Sequence, residues 1–263
     1  MRSLRYIVLL LCPWFILCCE ESFDWKTEGL EEPLLVVEAL LTNEKKRHQV
    51  KLSLTRDDLA QMPEYVDNAF VFIHDGDTST LLAKDPNQPG VYLTDSIRAL
   101  FGKFYTLFIV YNQKEYFALA TSSFGAPLEP LITSETEDGQ LEYVYQESSS
   151  PSMTEVEIRW TDLDESSDPD IRAYYYTLNV IDINKVFAPD KEKIIFPKGA
   201  QVTRKKYSLT QNHQDFLRSL LSETDWRGGL FDVAPGNVNT NLSEGAVGYF
   251  AVSMVSTDVS QVE

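Results

Sequence analysis

The cysteines of this chain are all near its start, where their chemistry would be confined to the amino terminus. The 263-residue sequence contains three, Cys12, Cys18 and Cys19. A cysteine thiolate can bind a metal, exchange disulfides, act as a nucleophile or be alkylated. The chain begins with two arginines, Arg2 and Arg5, which are followed by an apolar run over 6–17 and then by the adjacent cysteines, Cys18 and Cys19. This is the layout of a secretory signal segment. The run is shorter than the ~20 apolar residues that span a bilayer, so the sequence predicts a signal segment rather than a transmembrane helix.

The residues around Cys19 favour its lipidation. Ile16, Leu17, Cys18 and Cys19 resemble a bacterial lipobox, which has an aliphatic residue three positions before the modified cysteine and a compact residue directly before it. Cys19 would form a thioether with a lipid, and 1–18 would be a lipoprotein signal peptide. The alternative is that the pair is apolar filler in an ordinary signal peptide. With Cys19 lipidated, the mature chain has no thiol for a disulfide, a metal site or catalysis. No cofactor is predicted besides this covalent lipid, and calcium is the one candidate ion.

Four aspartates in one acidic loop form the weak candidate for a metal site. The sequence "DLDESSDPD" over 162–170 supplies several carboxylates of the kind that Ca²⁺ prefers. The loop lacks the glycine and the twelve-residue pattern of an EF-hand, and a solvated acidic loop is the favoured interpretation. The calcium candidates are Asp162, Asp164, Asp168 and Asp170.

No catalytic motif is recognisable in the sequence. The three histidines, His48, His74 and His213, show no metal-binding spacing such as H-E-x-x-H, and we expect structural roles for them. A pair of carboxylates could cleave a glycosidic bond, but the sequence does not show which two residues would meet. We therefore predict a protein without enzymatic activity, and a hydrolase stays open as a weaker alternative.

The charge of the chain disfavours a nucleic-acid partner. There are 40 acidic and 23 basic residues, which gives a net charge of -17. Loss of the signal peptide removes two arginines. Such a surface repels phosphate backbones.

The elements that would carry these residues are mostly strands. An acidic tether is predicted over 19–32, followed by a β-sandwich domain over 33–126 and a linker or edge connection over 127–152. The strands of the first module are predicted in "LLVVEALLT", "HQVKLSLT", "AFVFIHDGD", "PGVYL" and "GKFYTLFIVYNQKEYFALAT", the last with a hairpin turn near Asn112 and Gln113.

A second β domain is predicted over 153–263. It would contain strands in "TEVEIRW", "AYYYTLNVIDI" and "GAVGYFAVSMV", and one helix over 208–224 that begins with capping-box spacing between Ser208 and Gln211. Of the consecutive tyrosines at 174–176, we expect at least one in the core, whereas another could contact a sugar or a partner. The predicted class is mainly β, with two sandwich-like modules, the first immunoglobulin- or transthyretin-like and the second with one packed helix.

The order of these segments resembles the DUF4249 family of Bacteroidota lipoproteins. The resemblance rests on the lipobox cysteine followed by glutamate, on "LLVVEALLTN", "AFVFIHDGD" and "SLTQNHQDFLRSLL", and above all on "NVNTNLSEGAVGYFAVS". It implies an outer-membrane lipoprotein that works near a TonB-dependent receptor. Glu20, Glu21 and Asp24 are similar to the acidic run that directs such lipoproteins to the cell surface, although Phe23 interrupts it. This favours the outer face of the outer membrane over the periplasmic face.

These observations lead to one expectation of function and one alternative. We expect a lipid-anchored outer-membrane binding or accessory protein that assists a TonB-dependent receptor in nutrient uptake. The alternative is a surface adhesion or structural module with no transporter partner.

Overall fold

The computed structural model describes residues 32–56, 62–125, 127–146, 148, 150–160, 171–179, 193–224 and 238–263, with the backbone alone for 171–179 and 222–224. The strands in these ranges are β1 Leu35–Thr42, β2 Lys46–Leu54, β3 Phe70–His74, β4 Ser79–Leu81, β5 Ala83–Lys84, β6 Val91–Ile97, β7 Phe104–Tyr111, β8 Lys114–Thr121, β9 Thr133–Glu135, β10 Leu141–Tyr143, β11 Ser152–Arg159, β12 Ile171–Asn179, β13 Ile195–Phe196, β14 Gln201–Ser208, β15 Ala246–Ser253 and β16 Val255–Gln261. The helix described is α1, Gln211–Thr224.

Two sheets pack face to face in the first sandwich. One has the order β15-β1-β2-β6-β5, and the other has the order β4-β3-β7-β8. Alternate residues of a strand point to opposite faces of its sheet, and the inward positions carry fully buried aliphatic and aromatic side chains. Both sheets contribute to this single core, which includes Val37, Leu52, Leu107, Ile109 and Phe250.

The turn between β7 and β8 explains the register of the second of these sheets. Asn112 and Gln113 have φ angles of 48° and 64°, as in a two-residue type I′ turn, whose twist matches that of the flanking strands. Paired residues therefore follow without a shift from Tyr111 opposite Lys114 to Phe104 opposite Thr121. The predicted hairpin turn is confirmed.

A strand from the far end of the chain completes the first sheet. β15 pairs in parallel with β1 over eight residue pairs. Gly248 has a φ of +100°, and a Cβ atom there would lie 2.1 Å from the Val37 carbonyl oxygen. The side-chain amide of Asn241 bonds to both the N–H and the C=O of Phe250, at 3.0 and 2.8 Å, and also donates to the Leu119 carbonyl in β8 at 3.2 Å. Asn241 thus joins the edges of the two sheets.

The second sandwich has a four-stranded sheet and a three-stranded one. Their orders are β12-β11-β14-β16 and β13-β10-β9, and all their described pairings are antiparallel. A separate core joins them, with Leu141, Val156, Ile158, Phe196 and Val202 almost completely buried. The prediction of a mainly β chain with two sandwich-like modules is confirmed.

The two sandwiches share the last strands of the chain. β15 belongs to the first sandwich and β16 to the second, with Met254 between them. The Asn43 side chain accepts from the Val255 N–H at 2.7 Å and donates to its carbonyl at 3.2 Å, while the Met254 N–H donates to the Ser208 hydroxyl at 2.9 Å. The module boundaries stay a prediction. The strand predicted in "GAVGYFAVSMV" as part of the second module forms β15 and pairs with β1 of the first sandwich.

The helix begins later than predicted. Ser208 is the last residue of β14 rather than a helix cap, and Thr210 caps α1, since its hydroxyl accepts from the His213 N–H at 3.3 Å. The predicted capping box is therefore wrong. α1 contacts β15, where His213 and Phe216 stack on the Tyr249 ring at centroid distances of 5.0 and 4.8 Å.

Candidate functional site

The outer surface of the sheet β4-β3-β7-β8 carries large apolar side chains where water-facing polar residues are usual. We call this surface the aromatic face. Its members are Phe70, Phe72, Leu81, Phe104, Phe108, Phe117 and Leu119.

Strand register brings the centre of the aromatic face together. Leu81, Phe72, Phe108 and Phe117 are direct cross-strand neighbours on four successive strands. With strands about 4.8 Å apart, they form a line about 14 Å long. Cross-strand aromatic neighbours also stabilise the sheet that carries them.

The aromatic face is exposed. Phe70, Phe104, Phe108 and Phe117 retain 62%, 59%, 44% and 55% of their accessible surface. At about 200 Å² for a whole phenylalanine, these rings alone present about 400 Å² of apolar surface to water. The largest apolar patch on a typical monomer covers about 300–600 Å² and often has a function. We therefore take the aromatic face as the candidate binding site.

A charged cluster lies beside the aromatic face at the end of β3. The Lys103 ammonium donates to Asp75 at 3.1 Å and to Asp77 at 2.8 Å. The Asp75 carboxylate also accepts from the backbone N–H groups of Thr78 and Asp77, and these bonds hold its pKa well below the usual range. The same two carboxylates raise the pKa of Lys103. This cation is already paired.

Two more exposed aromatic rings lie at the end of the sheet where β7 begins and β8 ends. The rings of Phe101 and Phe124 lie with their centroids 4.2 Å apart, and both side chains are exposed. Phe101 comes three residues before Phe104, the first residue of β7, and Phe124 comes three residues after Thr121, which is paired with Phe104. This end of the sheet precedes the connection to the second sandwich.

A second cluster, of buried charges, fastens that connection to the second sandwich. Lys206 is 1% exposed and donates to both carboxylate oxygens of Glu129, at 2.8 and 2.7 Å, and to the Pro127 carbonyl at 2.9 Å. Arg204 is also buried and bonds to Asp258 at 2.7 Å and to the Glu129 carbonyl at 2.9 Å. Every charge in the cluster has an opposite partner, as a structural network requires.

A cavity beside this cluster is too small for an organic ligand. Its volume is about 10 Å³, and its lining includes Glu129, Tyr143, Thr154 and Arg204. That is about the space of one water molecule. We assign a structural role to the buried cluster and its cavity.

The histidines lie in three separate elements. His48 is buried in β2 and contacts the Ile97 carbonyl through Nε2 at 3.2 Å, and burial lowers its pKa. His74 ends β3 and contacts the Ser79 hydroxyl at 3.1 Å. His213 is buried in α1, and burial lowers its pKa to about 4.

Most of the site residues predicted from the sequence lie outside the described residues. These are Cys19 and the calcium candidates Asp162, Asp164, Asp168 and Asp170. In β12, Tyr175 pairs with Val156, while Tyr174 and Tyr176 pair with Glu157 and Glu155. Among the residues that the structure describes, no three His, Cys, Asp or Glu side chains are grouped to hold a metal, and no helix is long and apolar enough to cross a membrane.

Sequence reasoning missed the aromatic face. A partial signal lies in "FVFIH" and "FYTLFIVY", where bulky apolar residues occupy both the inward and the outward positions, a pattern that fully buried strands share. A half-exposed antiparallel strand would instead alternate apolar with polar residues.

Comparisons with known proteins identify the family. The family model described as "Domain of unknown function (DUF4249)" matches residues 20–258. No curated protein matches the sequence. A crystal structure of the chicken CNTN1 FN1-FN3 domains is similar to this chain, with 8% sequence identity and a TM-score of 0.29. The alignment covers 68% of this chain and 62% of the CNTN1 chain, which is less than two thirds of its length. Because the family model covers most of the sequence, the chain belongs to the DUF4249 family.

Proposed function

We propose that this protein is a lipid-anchored outer-membrane protein with a binding rather than an enzymatic role. Cys19 carries the lipid, the folded part faces the cell exterior, and the protein assists a TonB-dependent receptor in nutrient uptake. The lipobox around Cys19 supports the anchor, and the resemblance of the sequence to receptor-associated lipoproteins supports the partner.

The aromatic face is the observation that carries the binding role. Burying apolar surface contributes about 25 cal/mol per Å², so about 400 Å² of ring surface represents on the order of 10 kcal/mol before the costs of association. A protein that works alone gains nothing from leaving such a surface in water. A binding partner would recover this free energy.

The anchor is tested by replacing Cys19 with Ala in cells that receive a clickable fatty acid. We expect the wild-type protein to be labelled and the variant to be unlabelled. Label retained in Cys19→Ala would show that the anchor is assigned to the wrong residue. Protease added to intact cells should digest the wild-type protein, and protection would place it on the periplasmic side.

The partner is tested by purifying a tagged full-length protein from detergent-solubilised membranes. We expect a TonB-dependent receptor to co-purify in stoichiometric amount. Repeated absence of a receptor would refute the accessory role and favour the adhesion or structural alternative. An unrelated lipoprotein with the same tag is the control for non-specific recovery.

A further inference from the structure

We propose that the aromatic face is the surface that docks on the receptor, and that it contacts the receptor's protein surface rather than the nutrient or the bilayer. This inference rests on the proposed function and names the partner of that site. The contact surface on the receptor is apolar at its centre and basic at its rim.

The shape of the aromatic face favours a protein over a small molecule. Small ligands bind in concave sites that enclose most of their surface. The members of the aromatic face instead stand on the open side of a four-stranded sheet, and Leu81, Phe108 and Phe117 at its centre are about half exposed. Protein interfaces typically bury about 800 Å² on each partner and have aromatic residues at their centre. The aromatic face with its continuation at Phe101 and Phe124 approaches that size.

The charges around the aromatic face disfavour the bilayer. Surfaces that lie in a membrane interface combine apolar side chains with a fringe of lysine or arginine that meets the headgroups. The aromatic face has the apolar side chains, but the cation beside it, Lys103, is held by Asp75 and Asp77. The net charge of -17 also opposes an approach to anionic headgroups.

Charge also favours the receptor over a second copy of this chain as the partner of the aromatic face. Two copies would each bring an acidic surface, and repulsion would slow and weaken their association. The sole charged residue among the outward positions of β3, β7 and β8 is Glu115. The cluster beside the face has two carboxylates, of Asp75 and Asp77, against the one ammonium of Lys103, so it is also negative. A partner with basic residues around an apolar centre complements this arrangement.

The length of the chain before β1 restricts where the partner can be. About 16 residues separate Cys19 from the start of β1, so at full extension they reach at most about 55 Å. The strand that follows them, β1, belongs to the same sandwich as the aromatic face. With Cys19 in the membrane, the partner must present its contact surface close to that membrane, as a membrane receptor does.

Photocrosslinking in intact cells tests the inference with the full-length protein. A benzophenone amino acid replaces Phe108 at the centre of the aromatic face and, as the matched control, Val259, which is 57% exposed on β16 of the second sandwich. We expect a covalent adduct that contains a TonB-dependent receptor from position 108, at least about tenfold more abundant than from position 259. A lipid adduct, a dimer of this chain, an adduct with another protein, or no adduct at position 108 would each overturn it.

A second measurement separates this inference from the proposed function. The double variant Phe108→Ser with Phe117→Ser should reduce co-purification of the receptor about tenfold or more, since truncation of central aromatic residues has the largest effect on binding, whereas Val259→Ser should leave it unchanged. Melting curves establish that the variants are folded. If the receptor still co-purifies fully with the double variant, the docking surface is elsewhere and the proposed function stands. If it co-purifies with no version of the protein, both fail.

Discussion

Removing either member of the Lys206–Glu129 ion pair should destabilise the protein, and by unequal amounts. Lys206 is 1% exposed, whereas the Glu129 side chain is 36% exposed. Glu129→Leu leaves a buried ammonium with the Pro127 carbonyl as its remaining described partner. Lys206→Met leaves a carboxylate that can turn toward water, and the flexible methionine can occupy much of the space of the lysine stem.

These environments set the magnitudes. Leaving an uncompensated buried charge costs about 3–5 kcal/mol, which we expect for Glu129→Leu. Losing hydrogen bonds to a group that can be resolvated costs about 1 kcal/mol, which we expect for Lys206→Met. The double variant has no buried charge without a partner at this position, so its free energy of unfolding should be close to that of Lys206→Met.

Chemical and thermal unfolding followed by circular dichroism measures the four proteins of this double-mutant cycle. At about 2–4 °C per kcal/mol for a unit of this size, Glu129→Leu should lower the Tm by about 10 °C. Lys205→Met is the control, because the neighbouring Lys205 is only half-buried on the opposite face of β14, and it should change stability by less than about 0.5 kcal/mol. Additive effects of the two single changes, or a larger effect for Lys206→Met, would refute the reasoning.

Three further predictions concern the joint between the sheets and the helix. Asn241→Ala loses bonds to Phe250 and Leu119 and should cost about 2–3 kcal/mol in urea unfolding; a cost below about 0.5 kcal/mol would show that Asn241 does not join the sheets. Gly248→Ala places a Cβ atom against the Val37 carbonyl and should cost more than 3 kcal/mol, whereas Gly199→Ala, at a φ of +86° with open space around it, should cost about 1 kcal/mol; equal costs in the same assay would contradict the close approach. Because the pKa of His213 is about 4 in the folded protein and about 6.5 in the unfolded chain, its stabilising contribution is complete above pH 6.5 and falls by about 3 kcal/mol as the pH drops to 4; this extra loss should disappear in His213→Phe, and identical pH dependence in both proteins would refute it.

Strands with regular alternation could be predicted from the sequence. "HQVKLSLT" and "TEVEIRW" place apolar residues at every second position, and both form strands, β2 and β11. The hairpin between β7 and β8 was also predictable, because an Asn-Gln pair of turn residues separates two apolar runs. In these cases local pattern and tertiary environment agree.

Elements whose environment is set by distant residues could not be predicted. β14 has the sequence "QVTRKKYS", whose basic residues do not give the alternating apolar pattern of a strand. Arg204 and Lys206 can nevertheless occupy the buried side of β14, because they form ion pairs with Asp258 and Glu129. β16 reads "VSTDVSQ" and lacks an apolar run, and its position in the sheet follows from its pairing with β14, which is distant in sequence. The aromatic face was missed because two-sided apolar strands look like fully buried ones. Nothing in a single sequence tells a covered face from a bare one.

The pairing of β1 with β15 makes completion of the fold a late event in the life of the chain. Until 246–253 has been synthesised, β1 has an unpaired edge and the first core lacks Phe250 and Val252. Pairing across such a sequence separation is slow, and open strand edges invite aggregation. The nascent amino-terminal half must therefore be kept apart from other chains while the rest is made, and a prematurely terminated product would expose the same edge to proteases. The first sandwich is therefore complete only after synthesis has passed residue 253.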